Sequence, residues 1–504
     1  MKKSHIWILP PWPREYSILF TILALVSAFW LSRCNSSLWL DETITYWVVQ
    51  EGFIDTAYRA FHYQASGVFY YLIVWLFVQL GGGSEIVLRI PSILSCVLLC
   101  SVLFRFSCKI FDRTSAFLGV LVLLCLDGTF TWAVNARPYA LALLLSVSST
   151  YSLYLWTESN GRRYKFFYIF FSTLTVYTHV IFSGIFIVHL LYLYYQRWWS
   201  KDRVFPPIRE VILVYLCIAI LLFPVAYQAK ISADKKDLLS FAAMPTMLSL
   251  IKVWVKPYLV LSLLTGGLAA RLIVKKVNVA PFSIQPDLLV LLLIWYLLPA
   301  LGVFLFSVSS TASLFVPRYY LWSLPPLSML MGRLFSHITP VRSKCIIVTL
   351  LAGLMFVYGG IRTPFTEDWS SAIAYVRPKT CGLSIPVLAS TGLAESRDTS
   401  WIINPEKRSY LLSPFSVYRL DKTPLLLPAY FNQPGAAEYL DRTVFPVLRN
   451  VNKFYLILRM TYLKVNKSKV TSDTYFIKKM ALVGFGANHI EDFGHVKVIT
   501  FERI

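Results

Sequence analysis

Acidic residues are scarce in this chain, 26 Asp and Glu against 48 Lys and Arg among 504 residues, and charged residues of both signs make up only 15%. So little charge in a long chain that is 57% hydrophobic excludes an ordinary water-soluble globule. The distribution of the +22 net charge argues against nucleic acid as a partner, because Lys and Arg fall in short clusters between apolar runs and not in one patch. The eight cysteines show no metal-ligand spacing. Cys96, Cys100, Cys108, Cys125, Cys217 and Cys345 lie in or beside apolar runs, where a thiol is usually a small core hydrophobe. Cys34 and Cys381 are expected on the outer side, but spacing alone cannot pair them. No cleavage site follows Lys2, Lys3 and Arg14, so the first apolar run is expected to stay as a span. A clear internal repeat, common in transporters, is also missing.

What the chain has instead is a series of apolar runs near or above the roughly 20 residues needed to cross a bilayer. The basic clusters between them follow the positive-inside bias. Placing each cluster inside gives spans at about 16–31, 86–106, 115–131, one ending by Trp156, two short helices within 166–195, then 211–227, 247–272, 288–308, one from Pro317 to Arg333, and 345–358. That is about 11 crossings, with a cytoplasmic N-terminus and an outer C-terminus. The apolar stretch 68–80 is only thirteen residues long and is expected to lie at the outer interface. The two short helices are expected to meet at Tyr177-Thr178-His179, and broken backbone at that depth implies a polar cavity or burial in protein. The fold class is therefore mainly α, a polytopic membrane protein over residues 1–362, with a small soluble α/β domain over 363–504. In that domain 368–376 reads as a helix, and 385–388, 454–458 and 496–501 as strands. It carries no catalytic motif, and its expected role is to shield an outer cavity.

Two carboxylates stand out, in Trp39-Leu40-Asp41-Glu42, directly after the first span. On the same expected face lie Arg89, Arg137, Lys252, Lys256 and Arg318, with His179 at the broken helix. Charges at membrane depth are costly and should meet a partner or a polar substrate. A carboxylate at a cavity mouth suits a general base. Cations in a dry site suit a phosphate, Arg in bidentate fashion and Lys as a point charge. Each has a bland alternative. Arg89 and Arg318 can snorkel to head groups, and His179 can be a packed polar residue. Arg137 precedes Pro138 at a helix start, an unfavourable place for a cation unless an anion is near. Lys252 and Lys256, four apart, are expected on one helix face, where a shared anion would relieve their repulsion. Asp41, Glu42 and His179 are the candidate ligands of a divalent metal, although no spacing fixes their geometry; no cofactor is otherwise expected.

Five stretches in order resemble the GT-C membrane glycosyltransferases, especially the bacterial branch related to protein O-mannosyltransferases and lipid A aminoarabinose transferases. They are Trp39-Leu40-Asp41-Glu42, Ser84-Glu85-Ile86-Val87-Leu88-Arg89-Ile90-Pro91-Ser92, Ala136-Arg137-Pro138-Tyr139-Ala140-Leu141, Tyr177-Thr178-His179 and Pro317-Arg318-Tyr319-Tyr320. The resemblance covers about residues 15–360. It implies a polyprenyl-phosphate sugar donor, a glycan, lipid or protein acceptor, and inversion at the sugar. It also implies a bacterial plasma (inner) membrane. Asp41 and Glu42 become the catalytic candidates. Arg89, Arg137, Tyr139, His179, Lys252, Lys256, Arg318 and Tyr319 become candidates for phosphate or acceptor binding. Two departures stand out. Relatives often carry His-Pro-Pro where this chain has Gln64-Ala65-Ser66, and an acid before the Ala-Arg pair where it has Asn135. The rival expectations are a transporter or lipid flippase, and a noncatalytic scaffold.

Overall fold

A computed structural model describes residues 14–64, 66–199, 205–233, 243–274, 277–281, 283–310, 313–358, 366–465 and 468–504. The expected basic positions Lys2, Lys3, Lys201, Arg203, Lys275 and Lys276, residues 234–240 of an outer loop expected at 230–240 and the boundary near Thr363 lie outside the described residues, while 230–233 continue a helix.

The membrane part is a helical assembly. Helix α1 (Arg14–Arg33) leads through a short link to α2 (Leu40–Val49), α3 (Phe53–Tyr63) and α4 (Phe69–Gly81). Next come α5 (Glu85–Ile110), α6 (Arg113–Cys125), the short α7 (Thr129–Ala133) and α8 (Tyr139–Ser159). The region expected to break does so: α9 (Arg162–Thr178) stops before extended His179, a 3-10 turn fills Val180–Gly184, and α10 (Ile185–Trp199) follows. Then come α11 (Ile208–Leu221), α12 (Phe223–Ala233), α13 (Met247–Val255), α14 (Pro257–Ile273), α15 (Pro286–Ser309), α16 (Leu324–Ser336) and α17 (Val341–Tyr358). Among the described residues, five helices are long and apolar enough to cross a bilayer, or six with the pair α11–α12, which bends by 51°. The apolar helices at Ser17–Arg33, Phe69–Gly81 and Arg113–Cys125 are shorter. Exposed side chains such as Leu213, Leu216 and Ile220 on α11 and Leu264, Leu268 and Leu272 on α14 form apolar outer surfaces suited to lipid.

Two expected spans depart from straight helix. The one at 115–131 stops at Cys125, where Leu126 turns extended, and Gly128 follows at φ +89° before α7. The one at 247–272 keeps its length, Met247–Ile273 being one of the five, but its backbone breaks at Lys256, which takes φ +43° just before Pro257. Proline disfavours α geometry in the residue before it. Close packing elsewhere rests on small residues. A Cβ on Gly332 of α16 would lie 2.5 Å from the Ser115 carbonyl oxygen of α6, so only glycine fits this crossing.

The charged ends of the helices sort into two groups. Arg333 pairs with Asp112 at 2.7 Å, and Lys165 with Glu210 at 2.8 Å. Lys109 pairs with Glu158 at 2.9 Å. Strands β1 (Asn278–Val279) and β2 (Ile338–Thr339) pair antiparallel beside them. These are loops expected to share the inner side. At the other end lie the link after α1, residues 134–138, His179 and Arg318.

Residues from 366 onward form a mixed α/β unit. Helix α18 (Trp369–Thr380) is capped by the Asp368 side chain, and α19 (Thr399–Ile403), α20 (Pro405–Leu411) and α21 (Ser413–Val417) are short. The sheet has β3 (Val387–Ser390), β4 (Leu425–Leu426), β5 (Lys453–Arg459), β8 (Phe485–Phe493) and β9 (Val496–Arg503) in the order β4-β3-β5-β9-β8. A separate hairpin joins β6 (Tyr462–Val465) to β7 (Ser468–Thr471). Strand β5 is buried along its middle, as a strand covered on both faces should be. This unit sits directly on α2. Trp47 Nε1 donates to Ser409 Oγ at 2.9 Å, and the Leu40 amide donates to Glu367 at 3.0 Å.

Candidate active site

The sequence places Asp41 and Glu42 in the first turn of α2, where the helix dipole favours negative charge. Successive helical residues point in different directions, so the two adjacent acids part company. Glu42 turns inward and is fully buried. Its Oε1 accepts from Arg89 Nε at 2.8 Å and the Ala136 amide at 2.7 Å; its Oε2 accepts from Arg89 Nη2 at 2.5 Å and the Trp39 amide at 3.3 Å. A carboxylate has about four acceptor positions, and all are taken.

Arg89 is spent in the same way. It is fully buried on α5, and beyond Glu42 it donates to the carbonyls of Cys34, Ser36 and Ser37 at 2.9, 2.8 and 3.2 Å. Its five guanidinium hydrogens are shared among six acceptors, the sixth being Ser36 Oγ at 3.1 Å. Expected as a substrate ligand or a snorkelling side chain, Arg89 instead ties the link after α1 to the first turn of α2. The divalent-metal trio of Asp41, Glu42 and His179 does not converge either. Among the described residues no group of three His, Cys, Asp or Glu side chains comes together.

Asp41 turns the other way and keeps 24% of its side chain exposed. Arg318 Nη1 lies 3.4 Å from its Oδ2, and Arg137 Nη1 donates to its backbone carbonyl at 3.1 Å. Both cations come from irregular segments: Arg318 from the 3-10 turn Pro317–Tyr319, Arg137 from the loop before α8. The loop is clamped onto α2. Thr45 Oγ1 donates to the Ala136 carbonyl at 2.8 Å, and Trp39 Nε1 donates to Asn135 Oδ1 at 3.3 Å. Burial works against charge on Arg137, but Tyr71 and Asp41 favour it, and the balance raises its pKa. The anion expected near this unfavourably placed cation is therefore Asp41.

Aromatic rings line one side. Tyr139 sits between Trp132 and His179, with centroid distances of 4.6 and 5.2 Å, and His179 meets Tyr319 at 6.1 Å. The Arg318 guanidinium lies 5.3 Å from the Tyr319 ring. His179 is buried, and its Nδ1 accepts from the Ile181 amide at 3.3 Å, which assigns the proton of the neutral ring to Nε2. So Asp41, Arg137, Tyr139, His179, Arg318 and Tyr319 come together.

The two lysines do not share a face. Lys252 is exposed on α13, whereas Lys256 is buried at the break and pairs with Asp127 at 3.0 Å. The Tyr258 hydroxyl donates to the same Asp127 carboxylate. Asp127, Lys256, Trp132, Pro317 and Tyr320 help to line a cavity of about 240 Å³. Trp132 lines that cavity and meets Tyr139 of the Asp41 cluster at a tilt of 60°, so the two adjoin.

Sequence reasoning missed three contributors. Tyr71 of α4 accepts from Arg137 Nη1 at 3.4 Å and donates to Gln64 Oε1 at 3.0 Å. Tyr410 of α20 is buried close enough to Asp41, Arg137 and Tyr71 for their charges to act on its hydroxyl. Asp127 carried no signal beyond being an acid within an apolar run. A paired Tyr70-Tyr71 at the start of an expected interfacial helix was the only trace of the first.

Comparison with known proteins gives this arrangement a context. The ArnT structure from Cupriavidus metallidurans in the apo state superposes with a TM-score of 0.59 at 13% identity, covering 96% of this chain and 97% of that one. The chain has the GT-C fold. A second structure of the same GT-C protein, bound to undecaprenyl phosphate, gives a TM-score of 0.59 at 12% identity over 96% of this chain and 98% of that one. The apo oligosaccharyltransferase of Archaeoglobus fulgidus matches with a TM-score of 0.52 at 12% identity, covering 90% of this chain and 70% of that one. By sequence, the family described as dolichyl-phosphate-mannose-protein mannosyltransferase matches residues 66–228, a stretch that begins at Ser66 and contains α4 to α11. No curated protein sequence matches the chain.

Proposed function

We propose that this GT-C chain is a glycosyltransferase that moves a sugar from a polyprenyl-phosphate donor to an acceptor at the outer face of a bacterial inner membrane, with inversion. The observation that supports it most is the division of the acidic pair. Glu42 is saturated by the fold, while Asp41 stays partly open with Arg318 and Arg137 against it. A base beside a cationic clamp is what displacement of a phosphate from an anomeric carbon needs.

In this mechanism Asp41 takes the proton from an acceptor hydroxyl or amine. The freed lone pair attacks the anomeric carbon from the face opposite the phosphate. The bond from that carbon to the phosphate oxygen breaks, and polyprenyl phosphate leaves with the electron pair. Arg137 and Arg318 hold the phosphate and its growing charge; Lys256 reaches the same anion by exchanging Asp127 for it. Tyr139, His179 and Tyr319 wall the sugar. The undecaprenyl phosphate in the ArnT complex supports a lipid carrier of this class. The sorting of helix ends into two groups supports the expected orientation, with the basic loops and N-terminus cytoplasmic and the unit from 366 onward outside. There that unit covers α2 and delivers Tyr410 to the site, which agrees with a shielding role.

Purified protein in lipid, incubated with a panel of polyprenyl-phosphate sugars and an envelope extract, tests this. Polyprenyl phosphate should be released from at least one donor and not in Asp41→Asn. Equal release in that variant removes Asp41 from the mechanism. Absence of release from every donor by folded protein turns the assignment toward transport or scaffolding.

A further inference from the structure

Three side chains around Asp41 carry buried nitrogen atoms with no hydrogen-bond partner among the described residues: Asn135 Nδ2, Gln64 Nε2 and Arg137 Nε. Such orphans are rare in folded proteins and each asks for an explanation. All three belong to one network. Asn135 is 1% exposed, and its amide orientation is fixed, since the Trp39 indole can only donate and therefore faces Oδ1. Its Nδ2 is left over as a donor. Arg137 also can only donate, so its contact to the Tyr71 oxygen sends the Tyr71 proton toward Gln64 Oε1, or toward Ser66 Oγ at 3.1 Å. With Oε1 facing Tyr71, Gln64 Nε2 is left as a second donor.

The charges around this network have one sign in excess. Among the described residues Arg318 pairs with the Asp41 carboxylate, and Arg137 donates to the backbone carbonyl of the same residue. Glu42 is closed off by Arg89, and Glu395 accepts from the Tyr410 hydroxyl at 3.4 Å. A ligand here finds donors and positive charge. An ammonium group beside Arg137 and Arg318 would find, among the described residues of the Asp41 cluster, two guanidinium groups and no carboxylate open to it except the base itself.

Resting on the transferase reading above, we propose that Asn135 and Gln64 read the transferred sugar through its oxygen atoms, so that the donor carries a neutral sugar with no free amine. Hydroxyl oxygens of the sugar accept from Asn135 Nδ2 and Gln64 Nε2 when the donor binds. An amine at the same ring position brings a third cation beside Arg137 and Arg318.

Undecaprenyl-phosphate mannose, glucose and galactose, each paired with a donor in which one ring hydroxyl is replaced by an amine, provide the probes. Release of undecaprenyl phosphate gives kcat/KM for each. Wild type should favour at least one neutral donor over its amino partner by about tenfold or more, on the order of 1.4 kcal/mol. Asn135→Asp, which turns the free donor into an acceptor, should shift that ratio toward the amino donor by about tenfold. Gln64→Glu should shift it the same way, and serves if a buried charge at 135 prevents folding. Equal use of both donor types, an amino preference in wild type, or an unchanged ratio in a folded variant overturns the proposal and leaves the transferase assignment standing. Release from no donor of either type overturns both.

Discussion

Asp41 and Glu42 are neighbours in sequence and opposites in structure. Glu42 and Arg89 are both fully buried at 2.5 Å; Asp41 and Arg318 keep 24% and 21% of their side chains exposed at 3.4 Å. The first pair is saturated with hydrogen bonds and holds the link after α1, α2, α5 and the loop before α8 together. The second is loose and open, so its groups can change partners. Two similar ion pairs one residue apart thus divide into a fastener and, in the proposed mechanism, a reactive site. Chemical type alone does not say which is which.

Substitution should separate them, and the largest effects come first. Asp41→Asn should lower transfer by about 10²- to 10⁴-fold while the thermal unfolding midpoint stays near wild type. Glu42→Gln should do the reverse at first sight, since it leaves Arg89 as an uncompensated buried charge at a cost of about 3–5 kcal/mol. Unfolding should therefore move to lower temperature, and any lost activity should track the lost folded protein. If Glu42→Gln keeps full stability and loses transfer, the division between the two acids is wrong.

The cations extend the contrast. Arg318→Ala should cost about 10²- to 10³-fold in kcat, the usual scale for removing a group that stabilises a leaving oxyanion, with little change in unfolding. Arg89→Ala should resemble Glu42→Gln. The two lysines give a smaller version. Lys256→Ala leaves Asp127 against Tyr258 without its cation and should weaken donor binding by roughly tenfold, about 1.4 kcal/mol. Lys252→Ala changes an exposed side chain and should stay within about 0.5 kcal/mol in stability with normal kinetics. Equal effects from both would mean that the break at Lys256 does not separate them.

A carboxylate far from the membrane part supplies the smallest effect. Burial would raise the pKa of Asp473, but hydrogen bonds from the Thr471 and Lys497 side chains and the Thr474 amide outweigh it and lower it below the usual carboxylate range. A depressed folded pKa gives stability that is present above the unfolded value, about 3.9, and lost as pH falls through the folded one. Asp473→Asn should flatten the acid side of the stability curve slightly, and a titration of the unfolding midpoint would read it.

Much of this was legible in the chain. Apolar runs and basic clusters located the helices, since lipid and positive-inside bias act on composition directly. The break at His179 was legible because thirty residues flanked by basic clusters are too few for two full spans. The strands at 387–390, 453–459 and 496–503 fall on the three expected runs. Less visible were the interruptions at Gly128 and Lys256, where backbone conformation cut an apolar run that composition reads as continuous. Strand β8 was also missed, because its central residues are exposed and polar and alternate poorly.

The site was half legible. Sequence collected Asp41, Arg137, Tyr139, His179, Arg318 and Tyr319 because charged and polar residues in an apolar chain are conspicuous. It also collected Arg89 and Lys252 for the same reason, and could not tell a buried cation from an open one. Sequence by itself determined that acids and bases would meet at one end of a helical membrane protein, because apolar length and charge bias are local properties. Only the tertiary structure decided which acid would be free. That depends on which side of one helical turn faces Arg89 and Ala136, and both partners come from distant parts of the chain.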